Sequence, residues 1–212
     1  MAPTLKLHYF DMKGRAEAIR LACTIGNIEF EDVRFSQDEF KSKVKSTTPF
    51  GQVPVMEIDG KIVSQGTPLL RYVAKLANNG LYPVDAFEAL KVDEYLNVLE
   101  DIQTLLRPSF FEADSEKKIA IRKALVGPEG QIADLLHKFE KAISESGSKG
   151  YSVGSKLTIS DLAIYCQIEW FTSGILDGFS TNMYDAYPRL KAIHDTVVAH
   201  PKVAEWVKAQ FK

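Results

Sequence analysis

Cysteine is almost missing: Cys23 and Cys166 are the only two in 212 residues. Each stands in apolar, helix-like sequence far from the other, so both are expected as buried thiols rather than as a disulfide. Histidine is scarce too, and His8, His137, His194 and His200 show none of the spacings by which a chain holds a metal. No apolar run is long enough to span a bilayer, and Met1–His8 carries no apolar core of signal-peptide length. A soluble, cytoplasmic protein that does not enter a membrane is the expectation. Charge of one sign is not in excess: 26 Lys and Arg face 28 Asp and Glu, a net charge of −2, and no basic cluster stands out. Nucleic acid and anionic lipid are thereby disfavoured as main partners. Internal repeats and low-complexity segments are absent as well.

Apolar residues make up 45% of the chain, enough for a real core, and the length suits a compact pair of domains, since single domains commonly run to ~100–150 residues. Leu5, Leu7 and Tyr9 alternate with Lys6 and His8, the period of a strand, and the pattern breaks at Asp11-Met12-Lys13-Gly14. Arg15–Ile25 then sets Ala18, Ile19, Ala22 and Cys23 at helical spacing and is ended by Gly26. Glu29–Phe35 reads as a second strand, completing a right-handed βαβ unit with parallel strands. Gln37–Lys45 is a short polar helix or irregular turn, after which Val53–Ile58 and Lys61–Ser64 flank the hairpin signal Asp59-Gly60. Leu69, Leu70, Val73 and Leu76 line one face of a helix that fades at Asn78-Asn79-Gly80.

The domain boundaries follow from that order: an α/β domain over 1–79, a linker over 80–86, and an all-α domain over 87–212 in which no strand is legible. The second domain opens on a helix over Ala86–Phe111, with Leu96, Leu99, Ile102 and Leu106 along one face. A helix over Ser115–Ser146 follows, interrupted or kinked at Gly127-Pro128-Glu129-Gly130. Two more run over Pro188–His200 and from Pro201 to about Gln210. Leu157-Thr158-Ile159-Ser160-Asp161-Leu162 reads as a helix start, in which the Thr158 and Asp161 side chains cap each other's backbone N–H between two staple leucines. That signal is structural.

The stretch Pro49-Phe50-Gly51-Gln52-Val53-Pro54-Val55 holds the chemistry. X-Pro is the bond type in which cis is cheap, so a proline leading a buried strand points to a deliberately shaped backbone, with Val53-Pro54 cis and Val53 offered as an edge to a short peptide. A small βαβ-ββα sheet with proline entering its third strand is the thioredoxin-like pattern. Redox members carry Cys-X-X-Cys where this chain reads Tyr9-Phe10-Asp11-Met12, so a glutaredoxin-like activity is disfavoured. If sulfur chemistry occurs, the thiol arrives on a peptide substrate.

Tyr9-Phe10-Asp11-Met12-Lys13-Gly14-Arg15-Ala16-Glu17, Pro49–Pro54, Gln65 with Leu70-Arg71-Tyr72, and the Thr158–Asp161 box occur in the order and spacing of one family. The chain resembles the cytosolic glutathione transferases over essentially its whole length, most closely the sigma class, which includes the glutathione-dependent prostaglandin D synthases. The resemblance implies a homodimeric detoxification transferase that uses reduced glutathione as co-substrate, needs no other cofactor, and conjugates it to a small hydrophobic electrophile. It implies that Tyr9 donates its hydroxyl to the glutathione sulfur and that Arg15 faces the thiolate. A thiol with pKa near ~8.5 is only a few per cent ionised at neutral pH, and lowering it by about two units requires roughly 2.7 kcal/mol. One charge-assisted hydrogen bond and the positive end of the helix beginning near Arg15 are of that size.

By the same resemblance, Val53 pairs with the cysteinyl unit beside Pro54, and Gln52 and Gln65 serve the γ-glutamyl end. Phe40 stands near the glycyl end, where sigma enzymes usually carry Trp. Lys45 meets the glycyl carboxylate, with Lys41 and Lys43 as alternatives. Asp101 reaches the γ-glutamyl amine bound in the other subunit. One departure stands out: Gln65-Gly66-Thr67 replaces the family's Gln-Ser, so Gly66 keeps the helix-terminal N–H but lacks the hydroxyl unless Thr67 supplies it. About 1.5–3 kcal/mol of glutathione binding rides on that group. Phe10, Met12, Gln103, Phe110, Phe111 and Tyr165 are the expected lining of the electrophile pocket. Two rival readings keep the same fold, a glutathione-dependent isomerase of the prostaglandin D synthase kind and a crystallin-like binding or structural protein.

Overall fold

The computed structural model describes residues 2–210; Met1, at the start of the expected first domain, and Phe211 and Lys212, at the end of the second, lie outside the described residues. The chain divides into two compact units, Met1–Tyr82 together with His200–Lys212, and Pro83–Ala199. The division thus falls within the expected linker, but the last helix departs from the expected 87–212 domain and belongs to the first unit. Its own side chains explain why. Val203 is buried, the Lys202 ammonium donates to Ile25 O and to Asn27 Oδ1, and the Trp206 indole donates to Glu17. An amphipathic helix declares that one face is apolar, not which neighbour will cover it.

In the first unit, strands β1 (Leu5–Phe10), β2 (Glu31–Phe35), β3 (Val55–Ile58) and β4 (Lys61–Ser64) form one sheet in the order β2-β1-β3-β4. β1 runs parallel to β2 and antiparallel to β3, with Leu7 opposite Asp32 on one side and Met56 on the other. The alternation of β1 buries Leu5, Leu7 and Tyr9 on one face. β3 begins two residues later than expected, because Pro54 has no N–H to give the ladder. Between β3 and β4, Asp59 and Gly60 both take positive φ, 48° and 81°, as the tight hairpin requires.

Helices α1 (Glu17–Gly26) and α3 (Gly66–Ala77) pack against each other. Asn27, not Gly26, makes the left-handed turn that ends α1, at φ 51°. Gly26 is small for a different reason: a Cβ there would lie 2.6 Å from the Ala77 methyl on α3. The segment after β2 starts as α2 (Gln37–Glu39) under a Ser36–Glu39 capping box, then widens over Phe40–Val44 and tightens over Lys45–Thr47.

The second unit is helical. α4 (Ala86–Leu106) is capped by Asp85 and gives way at the proline to a 3-10 turn over Arg107–Phe110, so the expected single helix to Phe111 ends early. α5 (Ser115–Val126) and α6 (Gln131–Glu145) are separate helices, since Gly127 is extended and breaks what was expected as one interrupted segment. α7 (Ile159–Thr172) starts at the Thr158–Asp161 box, and α8 (Pro188–Val198) follows; α9 (Pro201–Gln210) is the helix that joins the first unit. The Asp161 carboxylate, 0% exposed, accepts from Thr158 N–H at 2.7 Å and from Ser152 N–H at 2.6 Å. Burial pushes its pKa up, and these hydrogen bonds pull it back down.

Cys23 is fully buried, with its thiol pushed up to about 12 by desolvation. Cys166 is half-buried rather than buried, and neither cysteine is in a disulfide. No helix among the described residues is long and apolar enough to cross a membrane.

Candidate functional site

Tyr9 stands one residue from the end of β1, on the strand's buried face, 6% exposed. Beyond Phe10 the chain turns sharply through Gly14 (φ 44°) into the 3-10 turn Gly14–Ala16 that opens α1. That turn brings the Arg15 N–H back to donate to the Tyr9 hydroxyl oxygen at 3.1 Å. A Cβ on Gly14 would lie 2.6 Å from the same oxygen, so the turn closes over the phenol only with glycine there. Burial pushes the Tyr9 pKa up, while the Arg15 hydrogen bond and the Arg15 and Arg20 cations draw it down. A hydroxyl that accepts from an amide still has its own proton, which it can donate to an incoming anion.

Beneath this turn lies a charged network that sequence reasoning did not single out. Arg20, 0% exposed, donates to the carbonyls of Met12 at 2.9 Å and Lys13 at 3.1 Å. It pairs with Glu17 at 3.2 Å and through Nε with both Asp32 oxygens at 3.1 Å. Arg34 bridges Asp32 and Asp11. The Arg20 guanidinium sits 5.9 Å from the centre of the Tyr9 ring. The Glu17–Arg20 spacing was legible as an i, i+3 pair, but such pairs normally mark a solvated face.

The Val53-Pro54 bond is cis, as expected, and the β3 ladder begins only at Val55, leaving Val53 outside it. Gly66 opens α3 close by: a Cβ there would be 3.7 Å from Pro54 Cγ and 3.8 Å from the Arg15 carbonyl, ordinary contact distances. The helix N-terminus, the proline and the turn holding Tyr9 therefore converge. Gln65 takes φ 79°, a conformation a residue with a Cβ adopts only under constraint, and its carbonyl accepts the N–H of Leu69. Thr67 and Val53 are half-buried, Gln52 is exposed, and the exposed Lys45 runs its stem along Gly51. Lys41 and Lys43 are exposed. Phe40 packs edge-on against Phe10 at 5.2 Å and stacks on Phe35 at 6.2 Å, while Met12 is exposed.

The remaining expected residues lie in the second unit. Asp101 is exposed and Gln103 half-buried on α4. Phe110 stacks on Trp170 at 5.9 Å with the Arg122 guanidinium 5.2 Å from its ring, and both Phe110 and Phe111 are exposed. Tyr165 is buried on α7, its ring 5.3 Å from that of His194.

Residues 5–75 match the family model of the glutathione S-transferase N-terminal domain, and residues 100–210 match that of the glutathione S-transferase C-terminal domain. The chain is 30% identical over 210 residues to the hematopoietic prostaglandin D synthase of Gallus gallus, covering 99% of this chain and 98% of that protein. It is 32% identical over 206 residues to glutathione S-transferase 3 of Caenorhabditis elegans, covering 95% and 94%. The solved prostaglandin synthase D of Nilaparvata lugens superposes with a TM-score of 0.85 at 32% identity, over 97% of this chain and 98% of that one.

Proposed function

The chain belongs to the glutathione S-transferase family and is an enzyme of it, and from that premise we propose how its residues divide the work. Glutathione lies extended along Val53, exchanging main-chain hydrogen bonds through its cysteinyl unit. The N-terminus of α3 at Gly66 receives the γ-glutamyl carboxylate, assisted by Thr67, Gln65 and Gln52. Lys45, held along Gly51, meets the glycyl carboxylate, with Phe40 beside it. The Tyr9 hydroxyl donates to the sulfur and Arg15 adds positive potential. The thiolate attacks an electrophilic carbon of a hydrophobic substrate, forming the carbon–sulfur bond as the displaced electron pair departs with a leaving group or moves onto an electron-withdrawing group of the substrate that is then protonated. Reduced glutathione is the co-substrate, and these steps call on no further cofactor. The reading includes a cytoplasmic, sigma-like homodimer in which Asp101 of the partner subunit meets the γ-glutamyl amine.

One observation carries the reading: the Arg15 N–H occupies a lone pair of the Tyr9 hydroxyl, which leaves the hydroxyl its own proton to offer a ligand. Titrating the ultraviolet absorbance of the bound thiolate tests it. Replacement Tyr9→Phe is expected to raise the pKa of bound glutathione by one to two units, roughly 1.4–2.7 kcal/mol, with binding largely kept. An unmoved titration curve would overturn the mechanism.

A second reading uses the same thiolate without consuming it. Relatives at 30–31% identity carry the name hematopoietic prostaglandin D synthase. Isomerisation of an endoperoxide, assayed against conjugation of a simple aryl halide, separates the two.

A further inference from the structure

The Tyr9 hydroxyl is tied to the last helix of the chain. The Trp206 indole on α9 donates to Glu17 Oε1 at 2.8 Å, and Glu17 Oε2 accepts from Arg20 Nη1 at 3.2 Å. The same Arg20 nitrogen holds the carbonyls of Met12 and Lys13, directly ahead of Gly14 and of the Arg15 N–H that binds Tyr9. Two protons on Nη1 thus serve three acceptors, so the strength of the Glu17 contact sets how firmly the loop carbonyls are held. Glu17 and Arg20 are almost wholly buried, which makes each of these contacts stiff and sensitive to the loss of any one partner.

We propose that Trp206 and Glu17 are positioning residues for the Tyr9 hydroxyl, making the docking of α9 a determinant of how strongly the enzyme activates its thiol. The charged groups that meet in this network are Glu17 and Arg20 from α1, Asp32 and Arg34 from β2, and Asp11 from the turn after β1. Trp206 adds a neutral donor that satisfies half of the Glu17 carboxylate. Without it, that carboxylate is left short of a partner away from water and draws harder on Arg20, loosening the two loop carbonyls. α9 has independent anchors in Val203 and in the Lys202 hydrogen bond to Ile25 O, so removing one N–H is not expected to detach it.

The proposal rests on the reading of Tyr9 as the group that stabilises the thiolate, and the test separates the two. The bound-thiolate absorbance of wild type, Trp206→Phe and Glu17→Gln is titrated, and kcat and KM for glutathione are followed from pH 5.5 to 9. Trp206→Phe keeps a ring beside Phe30, with which the indole packs at 6.4 Å, and removes only the donor. The wild-type midpoint is expected well below the ~8.5 of a free thiol; Trp206→Phe should raise it by about half a unit, whereas Glu17→Gln, a weaker competitor for the Arg20 Nη1 protons, should lower it. Below that midpoint kcat of Trp206→Phe should fall about threefold, recovering at high pH, while that of Glu17→Gln should not fall, with KM for glutathione moved less than about twofold in both. A loss of kcat by one factor at every pH, with an unmoved midpoint, would mean only less folded enzyme and would overturn the proposal, as would unchanged kinetics of Trp206→Phe. Should Trp206→Phe not fold, Glu17→Gln decides alone by its lowered midpoint, a raised or unmoved one overturning the proposal, because it keeps side-chain shape and the Asp32 partner of Arg20. A wild-type midpoint that is not lowered removes the reading of Tyr9, and the proposal with it.

Discussion

The two units each bury charge, and they do it differently. In the first, Arg20, Glu17 and Asp32 form a network that joins α1, β2 and the turn over Tyr9. In the second, the Asp161 carboxylate is satisfied within its own neighbourhood, by the N–H groups of Ser152 and Thr158 and by the Thr158 hydroxyl. A local solution stabilises a helix start and nothing else. A network of long range fixes the relative position of segments, which is what a site built from a strand end, a turn and two helix termini needs.

That difference can be broken from either side. Arg20→Met should have the largest effect, about 3–5 kcal/mol in urea unfolding, because the buried Glu17 carboxylate loses its counter-ion and the half-buried Asp32 keeps only Arg34. The folded fraction should also show a raised thiolate midpoint. Asp161→Ala should cost about 2–4 kcal/mol by leaving two buried N–H groups without acceptors, yet leave that midpoint where it is. Equal shifts in both variants would erase the distinction.

Gly66→Ser sharpens it by gain rather than loss. The nearest atoms to a Cβ there are 3.7 and 3.8 Å away, so a serine fits, and its hydroxyl should tighten glutathione by about 1.5–3 kcal/mol in a calorimetric titration. Weaker binding would mean that Thr67 already fills the role.

The smallest effect concerns His194, whose ring nitrogens lie 3.1 Å from Glu169 and 3.1 Å from Asp195. The Glu169 hydrogen bond, with the Asp195 contact and both negative charges, raises its pKa above the ordinary value of 6.5 against the opposing cost of burial. Protonated His194 therefore contributes stability that is fully present below pH 6.5 and is lost as pH rises through the elevated folded value. His194→Gln should cost more at pH 5.5 than at pH 9, by less than ~1 kcal/mol, as read by melting temperature.

Much of this molecule was legible in its residues. The alternation of Leu5, Leu7 and Tyr9, the Asp59-Gly60 turn and the proline at position 54 sufficed for the sheet. The Thr158–Asp161 spacing sufficed for the start of α7. These are local rules, in which a few consecutive side chains and the backbone settle the outcome between themselves. The Tyr9 turn was only half legible. Gly14 and Arg15 were visible as residues, but that the Arg15 amide returns to the phenol depends on a path through space.

What the sequence determined by itself, then, was the order of elements, the cis proline, the lack of a cysteine at the end of β1, and the family through the motifs that run with them. Tertiary structure decided the rest. Arg20 sits at a spacing that reads as surface and is nevertheless fully buried, and Trp206, 189 positions from Glu17, completes the carboxylate beneath the Tyr9 turn. Periodicity tells which face of a helix avoids water, whereas which buried charge finds which donor is settled only when distant segments compete for the same protons.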